Sequence, residues 1–267
     1  MSAFRARYGP WALVAGGSLG MGAAYSRQIA ERGLNVVLVA EAAEPLHTLA
    51  PALAAEYGVE TRAVLADLGA PGTLDDVAAA TRDLDIGLVV YNAAHSITGR
   101  FLDVSLDDKL RMLDVNCRGP LLLCHHYAAR LAARRRGGII LVSSLSGFQG
   151  HAMVGTYAAT KAFDLVLGEA LWEELRDHGI DVLAFCPGAT RTPAFLATHP
   201  RIGSSFAPPL MDPEETVAEA LAALGSGPTR IAGRTNRIAA AVLHHLLPRR
   251  ALVRIMSRAT RSMYDSS

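Results

Sequence analysis

Six short apolar runs, at residues 11–15, 35–40, 62–66, 86–91, 138–143 and 181–186, punctuate this chain of 267 residues. Stretches with helical periodicity fill the gaps, at 20–32, 44–57, 73–82, 106–134, 153–178 and 213–224. A strand that is apolar along its whole length leaves no face for water, so its sheet must be covered on both sides. Strands alternating with helices make that sheet parallel. The expected fold is therefore α/β: a doubly wound, Rossmann-like parallel sheet in a three-layer α/β/α arrangement, one domain over 1–267. Ligands are expected at the carboxyl ends of the strands. Two segments fall outside the alternation. Residues 189–212 are proline-rich with little periodicity and read as a substrate lid loop. Residues 227–267 read as a basic C-terminal extension.

The first strand runs directly into Gly16-Gly17-Ser18-Leu19-Gly20-Met21-Gly22, and a helical pattern follows. Glycines let a backbone turn sharply and approach a pyrophosphate closely, and a helix N-terminus supplies N–H groups and a positive dipole end. The spacing is GxxxGxG, one residue longer between its first two glycines than the usual dinucleotide fingerprint. Glu41 stands at the end of the second strand, where an acid can accept hydrogen bonds from an adenosine ribose and would repel a 2′-phosphate. No Arg or Lys occurs from Val36 through Pro45 or within the glycine loop. Both features favour NAD, with NADP as the alternative. Asp67, after the third strand, is placed to touch an adenine amino group; an acid there also serves as a helix cap.

Tyr157 and Lys161 are four residues apart, on one face of a helix, and Ser144 lies thirteen residues upstream of the tyrosine. An ammonium beside a phenol favours the phenolate, so such a tyrosine can exchange a proton with an alcohol or carbonyl oxygen. A nearby serine hydroxyl could hold that oxygen. Of 26 Lys and Arg residues only Lys109 and Lys161 are lysines, so this arginine-rich chain keeps a compact ammonium at 161. A pair at this spacing is also common on helix surfaces.

Composition excludes several classes. The net charge of +1 gives no reason to expect nucleic acid. Cys117, Cys124 and Cys186 have no metal-like spacing and read as reduced core thiols, which fits a cytoplasmic protein. The His125-His126 and His244-His245 pairs lack further ligand candidates, so no metal is expected. No apolar stretch approaches the roughly 18 residues needed to cross a bilayer.

Together these motifs resemble the short-chain dehydrogenase/reductase family in its single-domain branch. The resemblance rests on Gly16-xxx-Gly20-x-Gly22, Asp67-Leu68, Asn92-Ala93-Ala94, Asn116, Ser144, Tyr157-xxx-Lys161 and Pro187-Gly188-xxx-Thr192, in that order. It implies Tyr157 as general acid/base, Lys161 tuning it and holding the nicotinamide ribose, and Ser144 rather than Ser143 polarising the substrate oxygen. Asn116 would bend its helix and anchor a proton-relaying water. Ser18, Leu19 and Met21 belong to the cofactor loop. Asn92, Ala93 and Ala94 would line the cofactor, and Pro187, Gly188, Thr190 and Thr192 would seat its nicotinamide end. Three positions depart from the family pattern. Ala15 and Tyr91 replace polar side chains that support the cofactor loop, and Ala94 adds a methyl where backbone passes close. The resemblance also implies a homodimer or homotetramer through 106–134 and 153–178.

Phe148, His151, Met153, Val154, Phe195, Leu196, Phe206 and Leu210 are expected around the cleft, which suits a hydrophobic secondary alcohol or ketone such as a steroid, a terpenoid or a long chain. Eight arginines and no acid lie from Ala220 through Tyr264. Residues 249–263 pattern as a basic amphipathic helix that could rest on an anionic membrane surface, receive the phosphates of an acyl-coenzyme A, or pack its apolar side on the protein. The leading expectation is an NAD(H)-dependent alcohol dehydrogenase. An NADP(H)-dependent long-chain 3-oxoacyl reductase and a non-catalytic nucleotide- or membrane-binding protein are the alternatives.

Overall fold

The structure, a computed structural model, describes residues 2–201 and 210–264, apart from the side chain of His244. Seven strands form one parallel sheet: β1 (Trp11–Ala15), β2 (Asn35–Ala40), β3 (Thr61–Leu65), β4 (Ile86–Tyr91), β5 (Gly137–Val142), β6 (Ile180–Cys186) and β7 (Thr229–Ile231). Their order is β3-β2-β1-β4-β5-β6-β7. The order reverses between β1 and β4, and a crevice opens there at the carboxyl ends of the strands.

Alternate residues of the central strands enter two different cores. Val14, Leu38, Val90 and Phe185 pack on one face, under Tyr25 and Ile29 of α2 (Gly20–Glu31), α3 (Ala43–Tyr57) and α9 (Pro213–Ala223). Leu13, Val37, Val89 and Leu141 pack on the other, against α4 (Thr73–Ala80), α6 (Gly119–Arg134) and α7 (Gly155–Arg176). This is the three-layer arrangement that uninterrupted apolar strands demand.

The helix expected over 106–134 is divided. It starts as α5 (Leu106–Leu113), widens into a π-helical turn at Asp114–Arg118, and resumes as α6. Tyr91 braces the turn: its buried hydroxyl donates to the Val115 carbonyl at 2.5 Å. Gly119 makes room for it, since a Cβ there would collide with that hydroxyl. Tyr91 is thus a polar support after all, for the π turn.

Four elements were not legible as such: α1 (Ala3–Tyr8), β7, α8 (Pro193–Leu196) and α10 (Arg234–Leu246). β7 is a three-residue edge strand with Arg230 at its centre, which pairs with Glu219 at 2.8 Å. It carries no apolar run. The basic extension expected from 227 therefore begins inside the sheet and continues through α10 into α11 (Arg249–Tyr264). The lid expected at 189–212 is clasped at its base, where Met211 N donates to Ala189 O (2.8 Å) and Arg191 N to Met211 O (2.9 Å). Phe206 and the rest of 202–209 lie outside the described residues.

Replacing Tyr91 by Phe keeps the ring and removes the hydroxyl that donates to the Val115 carbonyl. Urea unfolding should show a loss of about 1–3 kcal/mol, the cost of leaving a buried carbonyl without its partner. An unchanged midpoint would mean the brace is dispensable.

Candidate active site

The glycine loop turns at the carboxyl end of β1. Gly16 has φ +75°, and a Cβ on it would come within 2.7 Å of the Ala93 backbone. At Gly22 a Cβ would collide with the Gly16 carbonyl. Asn92 holds that carbonyl from the side, donating through Nδ2 at 3.1 Å. Asn92 N and Ala93 N both reach Ala15 O at 2.9 Å. The first turn of α2 has no side-chain cap and no acid. Its N–H groups therefore suit an anion, and the loop fits a dinucleotide pyrophosphate. Ser18 is buried beside it, Met21 turns into the core and Leu19 is exposed. Gly20, at φ +52°, faces the Thr192 side chain, so the start of the 189–212 segment lies against the glycine loop. Ala94 is exposed.

Ser144, Tyr157 and Lys161 come from the end of β5 and the first turns of α7, but the two serines differ. Ser143 is buried and donates to the Lys161 carbonyl at 2.6 Å. Ser144 is only half-buried and accepts from Ser146 N at 3.1 Å, which leaves its proton available. Tyr157 is also half-buried. Lys161 is fully enclosed, with Nζ donating to Val142 O (2.8 Å) and to Asp164 Oδ2 (2.9 Å) and lying 6.0 Å from the Tyr157 ring centre. Burial works against its charge, but Asp164 and Tyr157 outweigh it, so the lysine is held above its ordinary range. Asp164 is itself buried and pushed upward by desolvation, and its Oδ1 has no hydrogen-bond partner among the described residues. Sequence reasoning passed over Asp164, three residues after the lysine.

Asn116 sits in the π turn with its amide fully engaged. Its Oδ1 accepts from His95 N (2.7 Å), and its Nδ2 donates to His95 O (2.8 Å) and Thr160 Oγ1 (3.0 Å). It lies in the widened turn that divides the helix expected over 106–134. Its described partners are protein atoms, so it ties the loop after β4 to α7. Across the crevice, Pro187 accepts from Leu145 N (3.0 Å), Thr190 donates to Gly188 O (3.1 Å), and Thr192 caps α8.

A cavity of about 700 Å³ opens beside the first turn of α7. His151 and Val154 line it with Phe101, Met112 and Met153. Phe148 instead packs toward Leu165, Ala184 and Cys186. Phe195 and Leu196 lie on α8, outside the cavity lining. The wall from Ile97 to Val104 escaped sequence reasoning, because that irregular loop has no periodicity; Lys109 and Met112 of α5 continue it. The far wall includes Arg261 of α11, which docks on the active-site loop: Ser257 Oγ accepts from Ala152 N (3.0 Å) and Thr260 bonds His151 Nδ1 (2.7 Å).

At the adenosine end, Glu41 and Asp67 both meet Arg111 of α5, at 3.3 and 2.6 Å. Leu68 is buried in the core. Among the described residues, no group of three or more His, Cys, Asp or Glu converges as a metal requires.

A family model for short chain dehydrogenases matches residues 10–201. The chain is 38% identical over 235 residues to a 7β-hydroxysteroid dehydrogenase of Collinsella aerofaciens, covering 87% of this chain and 89% of that protein. A solved structure from work on 7β-hydroxysteroid dehydrogenase stereoselectivity superposes with a TM-score of 0.88 at 35% identity, over 95% of this chain and 98% of the other. A short-chain dehydrogenase from Sphingobium yanoikuyae in complex with NADPH gives a TM-score of 0.75 at 31% identity, over 90% and 96% of the two chains.

Removing Asp164 leaves a buried ammonium uncompensated. Asp164→Ala should cost about 3–5 kcal/mol in chemical denaturation, and much of that should return when Lys161→Met is added. Strictly additive losses would show that the two charges are not coupled.

Proposed function

The chain belongs to the short-chain dehydrogenase family and is an NAD(P)-dependent oxidoreductase, and from that premise we propose that it interconverts a hydroxyl and a ketone on a steroid. The observation that carries this reading is the pairing of Tyr157 and a dry, fixed Lys161 beside a cavity whose apolar side chains, Phe101, Met112, Met153 and Val154 among them, share the wall with Arg100, Lys109 and Arg261. At about 700 Å³ the cavity lies within the 300–1,000 Å³ or so usual for small-molecule sites.

Each group has a task. Tyr157 exchanges the proton with the substrate oxygen. Ser144, with its hydroxyl proton uncommitted, donates to that oxygen and fixes it. Lys161 stabilises the phenolate and holds the nicotinamide ribose. Asn92, Ala93 and the glycine loop hold the pyrophosphate region, and Pro187, Gly188, Thr190 and Thr192 seat the nicotinamide end. The dinucleotide, when bound, supplies or accepts the hydride at the reacting carbon. Glu41 supports NAD(H) as the cofactor, since a carboxylate there accepts from ribose hydroxyls. Arg261 on the cavity wall is what favours the competing reading, reduction of a 3-oxoacyl chain with NADPH. A purely non-catalytic binding role leaves the enclosed Lys161 without a purpose.

Exposed apolar side chains support the association reading. Leu106, Leu110 and Leu113 on α5, Leu121 on α6 and Val166 on α7 are exposed, which suits a homodimer or homotetramer through these helices. Ile238, Val242 and Leu246 form a second exposed stripe on α10. With the arginines of residues 249–263 it supports peripheral contact with an anionic membrane surface.

An NAD(P)-reduction screen over hydroxysteroids, terpenols and long-chain alcohols tests the substrate class, and turnover confined to the linear alcohols would overturn it. Tyr157→Phe should cut turnover by about 10²–10⁴-fold and leave dinucleotide binding nearly intact. Retained turnover on the best substrate would remove Tyr157 from its role. Leu110→Asp should lower the mass measured by light scattering if α5 lies in the subunit interface.

A further inference from the structure

Glu41 does not face the adenosine end alone. The sequence around it holds no cation, but the fold brings one from seventy residues away. Arg111, near the C-terminal end of α5, places Nη2 at 2.6 Å from Asp67 Oδ1 and 3.3 Å from Glu41 Oε2. Both acids stand just beyond the carboxyl ends of their strands: Glu41 follows β2, and Asp67 lies two residues past β3. Gly16 N and Gly17 N donate to Val39 O, so the phosphate loop is one strand away from Glu41. With strand order β3-β2-β1, a nucleotide running outward from that loop meets Glu41 first and Asp67 next.

Gly69 leaves room beside the arginine. A Cβ on Gly69 would collide with Arg111 Nη1 and also crowd Val115. Gly69 N donates to the same Asp67 Oδ1 that Arg111 engages, at 2.9 Å, and leaves Oδ2 of that carboxylate for an adenine amino group. Arg118, from the π turn, reaches Ala70 O at 3.5 Å and adds a second guanidinium to this rim. The Glu41 side chain is 71% exposed and its contact with Arg111 is the longer of the two. It is therefore the bond more easily exchanged for another anion. A guanidinium presents a planar fork that matches phosphate oxygens, and it stays charged at any working pH.

We propose that Arg111 is a specificity-determining residue of the adenosine site, which offsets the repulsion of Glu41 and offers its guanidinium to a 2′-phosphate, so that the chain accepts NADP(H) as well as NAD(H). With an unphosphorylated ribose, Glu41 takes the hydroxyls and Arg111 stays on Asp67. With a 2′-phosphate, Arg111 leaves Glu41 for the new anion, and the freed carboxylate turns to solvent. The inference rests on the dinucleotide reading of the glycine loop and is independent of the steroid reading.

The test is calorimetric titration of the full chain with adenosine 5′-monophosphate and with its 2′-phosphorylated counterpart, with no substrate present. Wild-type protein should bind both. Arg111→Gln should weaken the 2′-phosphorylated ligand by about tenfold or more, the value of one charge-assisted hydrogen bond, and leave the monophosphate nearly unchanged. Adding Glu41→Gln should restore part of the loss, because the repelling carboxylate is gone. Far-ultraviolet circular dichroism and the thermal midpoint show that the variants fold. Equal weakening of both ligands, or no change in either, would overturn the role of Arg111 while leaving the cofactor site standing. If neither nucleotide binds wild-type protein, the adenosine site itself falls and the proposal with it.

Discussion

The active-site architecture depends on the enclosure of one ammonium. Lys161 is buried with a carbonyl and a carboxylate as its partners, and an unpaired charge in that position would be strongly unfavourable. The surroundings are fitted to it. Ser143 clamps the Lys161 carbonyl to the end of β5, and a Cβ on Gly147 would press on that same carbonyl at 2.8 Å. Further along, Gly168 lets α7 approach Ala184 of β6. These contacts fix α7 on the sheet at the end that carries Tyr157. An arginine here would bring a wide, planar group with five donors into a space that supplies two acceptors, which explains why an arginine-rich chain keeps lysine at this position.

The second anchor of the site is the π turn. An ordinary helix through 106–134 would carry Asn116 past the crevice with its amide turned elsewhere. Widening one turn lets Asn116 reach both polar groups of His95 and the Thr160 hydroxyl, which itself donates to the Tyr157 carbonyl at 2.8 Å. The loop after β4, the π turn and α7 thus share one hydrogen-bonded knot. Tyr91 supports it from beneath by taking up the Val115 carbonyl that the widened turn releases. The exchange of a polar residue for tyrosine at position 91 moves the support from one loop to the next.

What could be read from the sequence follows physical range. Six strands and the helices covering them were legible because uninterrupted apolar runs and helical periodicity are local signals, and Gly16, Gly22, Tyr157 and Lys161 were legible because their spacing is itself the signal. β7 was not, since three half-buried residues around Arg230 carry no pattern. Asp164 was passed over because a carboxylate three residues from a lysine usually marks a solvated helix face; only the packing of α7 makes the pair dry. Arg111 was missed for the opposite reason. Cations near Glu41 were sought only along the chain, where there are none, and the fold delivers one across the crevice from α5. Phe148, expected in the cleft for its apolar ring, shows the same limit, since apolarity cannot tell a core face from a substrate face.

The cavity wall is where local reading ends. Each bond that closes it joins the C-terminal helix to a loop far upstream: Arg249 donates to Phe148 O, Ala152 N to Ser257 Oγ, and Arg201 N to Met263 O. Leu252 and Thr260 are buried in this docking, so α11 spends part of its apolar side on its own chain. The contact also engages a side chain of the cavity. Thr260 Oγ1 lies 2.7 Å from His151 Nδ1 and 2.9 Å from Met256 O. Burial holds His151 below its ordinary range. Its Nε2 is buried and without a partner among the described residues. A basic tail that looks in sequence like a surface element thus packs against a side chain lining the cavity. The shape of that space is decided by the last helix of the chain as much as by the family motifs.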